Sequence, residues 1–99
     1  MASYSVASGE VGAHGKTLVA STVDTVTFGD NIHSVEVVSD GASPIYVGID
    51  GVTPTVGGAA NYYLPATPCS RTIKSVGTAA TVVKLISAGT PTYSVSKDT

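Results

Sequence analysis

The residues able to do acid–base or metal chemistry are few and scattered along this sequence. The two histidines, His14 and His33, have no second imidazole or cysteine at a spacing that would build a metal site. His14 sits in a glycine-rich segment, and His33 begins a predicted strand. We therefore interpret both as surface or hydrogen-bonded residues rather than ligands or general bases, and we predict no enzymatic activity.

The carboxylates are spread among turns and strands instead of forming a catalytic pair. Asp30, Asp40 and Asp50 each neighbour a glycine or an asparagine, so turn chemistry already accounts for them. Asp24 and Glu36 fall within predicted strands. A calcium site built from loop aspartates is one hypothesis, because this ion takes carboxylate and carbonyl oxygens from loops. We predict no metal ion and no cofactor, and the calcium site is kept only as the alternative.

Three further features have a structural interpretation beside a functional one. Cys69 is the only cysteine, which excludes a disulfide within the chain and favours a buried, inert thiol. Gly57-Gly58 is not a phosphate loop, because no lysine or helix start follows it. The five tyrosines are candidates for a sugar-binding platform, but tyrosine in strands is commonly core or interface, and tryptophan is absent.

The composition indicates one small β-rich domain. The chain has 99 residues, enough for one core, and only 12% are charged. The formal net charge of −2 and the absence of a Lys/Arg cluster argue against binding to nucleic acid or to an anionic membrane. There is no apolar run of membrane-spanning length and no signal-peptide pattern at the N-terminus, so we expect synthesis in a cytosol without export.

The stretch 44–58 organises the rest of the chain. Ile45, Val47 and Ile49 fall on one face of an extended strand, because side chains alternate with period two. Asp50-Gly51 then supplies the strongest hairpin signal in the sequence. Pro54 restricts the returning segment to a brief or edge pairing.

Further strands follow the same logic. The segment 17–28 predicts one long strand, or two short strands bent near Asp24, and 33–39 predicts a strand with Val35 and Val37 inward because Glu36 is costly to bury. Strands are also predicted over 61–64, 69–76 and 81–87, with a last strand around Tyr93 and Val95. Seven or eight short strands separated by turns predict an all-β fold, an antiparallel β-sandwich that is immunoglobulin-like in the broad sense.

The N-terminal segment breaks this pattern. Residues 1–16 carry small residues and repeated glycines without sustained periodicity, so we predict an irregular arm over 1–16 and the β-sandwich domain over 17–99. Tyr4, Val6 and Val11 are spaced so that an extended arm would press them against a neighbouring surface. These three residues are the predicted interface, and a frayed terminus without a role is the alternative.

A series of short motifs runs along the predicted strands and turns. They are Val-Glu-Val at 35–37, Ile-Tyr-Val at 45–47, Asp-Gly-x-x-Pro-Thr at 50–55, Leu-Pro at 64–65 and Val-x-Leu-Ile-Ser at 83–87. In this series the chain resembles small virion-surface proteins of tailed bacteriophages, especially phages of actinobacteria. The resemblance covers residues 22–96 and leaves the first twenty uncovered. No site residue is carried over, because this pattern marks strands and turns rather than a reaction.

The resemblance implies a structural role on the virion. The leading hypothesis is a capsid decoration protein on the outside of the shell, with the major capsid protein and further copies of itself, as a homotrimer, for partners. The alternative is a minor tail protein or a host-surface module whose 50–60 loop binds a glycan or a protein. A third hypothesis is an adhesin-like domain from a longer bacterial chain.

Overall fold

The structure is a computed structural model and describes residues 2–29, 32–49, 52–59, 61–66, 70–74 and 82–97. Within these ranges the chain forms β-strands and no helix, and so no helix long and apolar enough to cross a membrane. The nine strands are β1 (Ser3–Val6), β2 (Gly12–Thr17), β3 (Asp24–Phe28), β4 (Ser34–Ser39), β5 (Ile45–Ile49), β6 (Tyr62–Leu64), β7 (Ser70–Lys74), β8 (Val82–Ile86) and β9 (Thr92–Lys97). The count is slightly higher than the seven or eight predicted.

Two sheets pack face to face. The five-stranded sheet has the order β1-β3-β8-β5-β6, and the four-stranded sheet has the order β2-β9-β4-β7. Neighbouring strands are antiparallel except for β1 and β3, which run parallel. The predicted all-β sandwich is therefore confirmed. Strands β1 and β2 lie together at one lateral side, and β6 and β7 lie together at the other.

The core lies between the sheets and follows the predicted alternation. In β4, Val35 and Val37 are buried whereas Glu36 and Val38 are exposed, as the charge of Glu36 requires. Inward-facing side chains of both sheets form one cluster, which includes Val26, Phe28, Ile45, Val47, Ile49, Leu64, Ile73, Val83, Leu85, Tyr93 and Val95. Hydrophobic burial along each strand therefore stabilises a single shared core.

The first sixteen residues are not an irregular arm, and that prediction is wrong. β1 pairs with β3 at the edge of the five-stranded sheet, and β2 pairs with β9 at the edge of the four-stranded sheet. Val6 and Ala13 are buried in the core. An edge strand needs few apolar residues, because it buries only part of one face. Strands rich in serine and glycine, such as β1 and β2, therefore show no apolar alternation from which they could be predicted. The sandwich starts at β1 rather than at residue 17.

The β-branched segment 17–28 is shared between the sheets, which favours the prediction of two short strands. Thr17 ends β2, and β3 begins at Asp24. Between them, the Leu18 N–H donates to a carbonyl at residue 91 at 3.0 Å, and the Ser21 N–H donates to one at residue 87 at 2.7 Å. These bonds hold the crossing segment, which carries Leu18 into the core.

The loop after β5 folds over the outer face of the five-stranded sheet. Gly48 is buried there, and a side-chain carbon at this position would overlap the carbonyl of Val52. The Lys84 ammonium donates to Thr53 Oγ1 at 3.2 Å and ties the loop to β8. Neither Val52 nor Thr53 extends a strand, in keeping with the proline that follows them.

The remaining strand predictions agree with the structure where residues are described. The segments predicted over 61–64, 69–76 and 81–87 contain β6, β7 and β8, and the last predicted strand is β9. The predicted Asp50-Gly51 turn and the strand ends at Cys69, 75–76 and Thr81 lie outside the described residues.

Candidate functional site

The three residues predicted to form an interface occupy different environments. Val6 is 3% exposed, so its placement at a surface is wrong. Tyr4 is half-buried against the core, and the ammonium of Lys16 lies 4.7 Å from its ring centroid. Val11 is 56% exposed in the turn between β1 and β2. Of the three, only Val11 has more than half of its surface exposed to solvent.

Acid–base side chains do not converge in the part of the chain that the structure describes. His14 and His33 are both exposed, and Asp40 Oδ1 accepts a main-chain N–H two residues on at 3.0 Å, which is the predicted turn role. No three His, Cys, Asp or Glu side chains gather among the described residues. The hypotheses on Asp30, Asp50 and Cys69 concern residues outside the described ranges.

Asp24 is a buried carboxylate that links the two sheets. Its oxygens accept the Tyr93 hydroxyl at 3.0 Å and the Ala2 N–H at 3.2 Å. Burial, together with the adjacent Asp24 carboxylate, raises the pKa of the Tyr93 phenol well above its ordinary value. Because the pair joins β3 of one sheet to β9 of the other inside the core, we interpret it as structural.

Exposed apolar side chains concentrate around the 52–59 loop and β6. Val52, Val56, Tyr62 and Tyr63 are 37%, 44%, 39% and 44% exposed, respectively. Of these, Val52 and Tyr62 line one concavity, and exposed apolar side chains that cluster on a domain commonly mark a binding site. This surface coincides with the loop that the sequence offered as an alternative binding edge.

A concave pocket of about 340 Å³ lies between this loop and β6. Its lining residues, which define the Tyr62 pocket, are Ile49, Val52, Ala59, Asn61 and Tyr62. The volume falls in the range of about 300–1,000 Å³ that is usual for small-molecule sites. Three of the lining side chains are apolar, and those of Asn61 and Tyr62 carry polar groups.

Arg71 contacts the tyrosines of β6 from the opposite sheet. Tyr62 lies opposite Val47, on the side of β6 that turns toward the other sheet, but it is 39% exposed. Tyr63 lies opposite Tyr46 on the outer face, and the centroids of the Tyr46 and Tyr63 rings are 5.3 Å apart. The Arg71 guanidinium carbon is 5.2 Å from the Tyr62 ring centroid, and Arg71 Nη1 donates to the Tyr63 carbonyl at 2.8 Å. One arginine therefore orients the pocket's aromatic ring and covers an edge carbonyl of β6.

Sequence reasoning placed the pocket residues on a loop and a strand but did not bring them together. The adjacent tyrosines gave a usable signal, since alternation puts Tyr62 and Tyr63 on opposite faces of β6. The sequence carries no signal for the contact with Arg71, because this side chain comes from the other sheet. That contact depends on β6 and β7 lying side by side across the sandwich.

Comparison with solved structures shows the same fold in proteins of unrelated sequence. The pre-peptidase C-terminal domain of collagenase from Bacillus anthracis is similar with a TM-score of 0.50 and 12% identity, over 95% of this chain and 92% of that one. PliG, a periplasmic inhibitor of g-type lysozyme from Aeromonas hydrophila, is similar with a TM-score of 0.53 and 12% identity, over 97% and 96% of the two chains. No family model and no curated protein matches the sequence. At this identity the likeness concerns the fold alone.

Proposed function

We propose that this chain is a non-enzymatic structural protein of a bacteriophage virion that decorates the outside of the capsid shell. The support is the resemblance of residues 22–96 to small virion-surface proteins, together with a compact β-sandwich suited to rigid adhesion. The described residues hold no convergent acid–base set that would favour an enzyme. The proposed partners are the major capsid protein and further copies of the chain.

The observation that carries the capsid contact is the exposed Val11 at the corner between β1 and β2. The turn before it is fixed, because the Ala7 N–H donates to Glu10 Oε1 at 2.8 Å and the Glu10 N–H donates to the Ala7 carbonyl at 2.9 Å. The Val11 carbonyl accepts the Lys97 N–H at 2.9 Å. A preorganised apolar corner loses little conformational entropy when it binds a partner. Val11 thus retains the interface role that the buried Val6 cannot have.

The test is a single substitution in the intact chain, Val11→Asp, assayed by co-sedimentation with shells assembled from the major capsid protein. We expect binding at least tenfold weaker, about 1.4 kcal/mol, because the change places a charge in a desolvated contact. Val19→Asp is the matched control, since Val19 is 59% exposed just beyond the other end of β2, and we expect binding within twofold of the parent chain.

Deleting residues 1–14 is unsuited to this test, because the deletion removes β1 and the first half of β2 along with Val11. Equal binding by the two aspartate variants contradicts the Val11 contact. The copy number in purified virions tests the role itself. Decoration predicts many copies in proportion to the major capsid protein, whereas a few copies per particle, or absence from the shell, contradicts it and favours the tail or host-surface alternative.

A further inference from the structure

We propose that the Tyr62 pocket is a carbohydrate-binding site that takes one neutral or acidic pyranose unit of a glycan. Tyr62 lines the pocket, and the ring face that Arg71 does not cover is a flat apolar surface on which the C–H face of a pyranose can stack. The Asn61 amide has both a donor and an acceptor for ring hydroxyls. The apolar remainder of the lining comes from Ile49, Val52 and Ala59. This combination of a flat ring, a planar amide and small apolar lining residues matches a ligand that is apolar on its faces and hydroxylated at its rim.

Both recognition groups are held in place without a ligand. Asn61 Nδ2 donates to the Thr55 carbonyl at 2.6 Å, which orients the amide at the pocket rim. The Arg71 guanidinium lies over the Tyr62 ring, with its carbon 5.2 Å from the centroid, and is itself anchored on the Tyr63 carbonyl. Preorganised groups lose less entropy on binding, which matters most for a weakly held, strongly hydrated ligand.

The positive charges near the pocket argue against cationic ligands. A cation already lies over the Tyr62 ring, so a second cation at the same ring meets electrostatic repulsion. The nearby loop also carries the Lys84 ammonium, bonded to Thr53 Oγ1. The site therefore disfavours amines and quaternary ammonium groups, and it suits a neutral sugar or one that carries a carboxylate.

The same arginine argues against an extended peptide as the occupant. A peptide that adds a strand to a sheet needs free main-chain groups along the edge. β6 has only three residues, Tyr62–Leu64, and its Tyr63 carbonyl already accepts Arg71. The edge beside the pocket is thus covered, and the pocket itself is left as the binding feature.

The pocket and the proposed capsid contact lie at opposite sides of the sandwich. β1 and β6 are the two edges of the five-stranded sheet, about 19 Å apart at the usual strand spacing. A chain held to a shell through Val11 would present the Tyr62 pocket outward, toward glycans of a host surface. Only this orientation rests on the proposed virion role; the site follows from the pocket residues alone.

The experiment is a two-dimensional NMR titration of the full chain with three oligosaccharide probes: cellotriose, chitotriose and tetragalacturonate. Concentrations reach about 10 mM, because a site for one sugar unit makes few contacts and binds weakly. We expect at least one probe to shift the amide signals of Ala59, Asn61 and Tyr62. Tyr62→Ala should then weaken binding at least tenfold. Tyr63→Ala is the matched control, because Tyr63 is similarly exposed but does not line the pocket, and the substitution should leave affinity within twofold.

A second variant guards against a folding defect in Tyr62→Ala. Ala59→Trp fills the pocket from an exposed position while it keeps the tyrosine, and we expect it to abolish the shifts. The absence of shifts in the pocket amide signals with all three probes overturns the proposal. Shifts that remain in both the Tyr62→Ala and the Ala59→Trp variants also overturn it. Shifts of the pocket signals with protein concentration or with an added peptide, but not with sugar, also overturn it and assign the surface to a protein partner. Because the titration uses no virions, its failure is distinct from failure of the capsid-binding test.

Discussion

Replacing Tyr93 with phenylalanine should destabilise the fold and change its behaviour at alkaline pH. The substitution removes the hydroxyl that donates to Asp24 Oδ2 at 3.0 Å, in a core where both residues are 1% exposed. The Ala2 N–H, which donates to Asp24 Oδ1 at 3.2 Å, is the remaining donor shown to this carboxylate. A hydrogen bond to a charged group contributes about 1.5–3 kcal/mol, so we expect the free energy of unfolding to fall by about 2 kcal/mol. For a domain of this size that corresponds to a melting temperature lower by roughly 8–16 °C.

The structure predicts that the free energy of unfolding decreases as the pH rises into the alkaline range. The pKa of Tyr93 is raised in the folded state, chiefly by burial and next by the Asp24 carboxylate, so the unfolded chain releases this proton at lower pH than the folded chain. The stability linked to Tyr93 is fully present below about pH 10 and is lost as pH rises above it, at up to about 1.4 kcal/mol per pH unit. The Tyr93→Phe variant lacks this proton, and its stability should fall less steeply above pH 10.

The assay is urea unfolding followed by far-ultraviolet circular dichroism between pH 7 and pH 11. Tyr46→Phe is the matched control, because the Tyr46 ring is half-buried on the outer face and contacts Tyr63 rather than a buried carboxylate. The Asp24→Asn variant, alone and combined with Tyr93→Phe, completes a double-mutant cycle. In this cycle we expect a coupling energy between the two side chains of about 1–3 kcal/mol. A Tyr93→Phe variant as stable as the parent chain at pH 7 contradicts a stabilising hydrogen bond between Tyr93 and Asp24. A variant that loses stability above pH 10 as steeply as the parent chain contradicts the raised pKa of Tyr93.

Three further predictions test the fold around the candidate site. Gly48→Ala should destabilise the domain by more than about 2 kcal/mol in urea unfolding, because its side-chain carbon would overlap the Val52 carbonyl. Gly57→Ala, at a φ of 76° in open space, should cost only about 1 kcal/mol, and equal losses at the two glycines contradict the contact. Arg71→Ala should change the free energy of unfolding by about 1 kcal/mol or less but promote self-association in sedimentation velocity, because it uncovers the β6 edge. A variant that stays as monodisperse as the parent chain contradicts the role of Arg71 in covering this edge. Deleting residues 1–14 should abolish the cooperative thermal transition, because β1 and the first half of β2 are lost. A transition that persists at the parent temperature would restore the interpretation of a dispensable arm.

The strands that sequence reasoning located best are those with a charged or apolar marker on every second residue. β4 is the clearest case, because Glu36 identifies the solvent face and thereby places Val35 and Val37 in the core. β5 follows from the alternation of Ile45, Val47 and Ile49. In both strands the pattern reflects backbone geometry, which acts over a few residues and is legible without knowledge of the partner strand.

β1 and β2 show where this reasoning stops. Their sequences, Ser-Tyr-Ser-Val and Gly-Ala-His-Gly-Lys-Thr, have too few apolar residues to predict burial. They are strands because β3 and β9 present open edges to them, a property of other parts of the chain. The predicted interface changed for the same reason, since parallel pairing with β3 carries Val6 inward.

A small all-β domain of low charge density was predictable from the residues alone, because alternation, β-branched residues and turn residues act locally. Which distant residues meet became visible only in the folded chain. Asp24 reaches Tyr93 across 69 positions, and Arg71 reaches Tyr62 from the opposite sheet. Such pairs depend on strand order and on the packing of two sheets, which local periodicity leaves undetermined because many arrangements bury the same apolar faces.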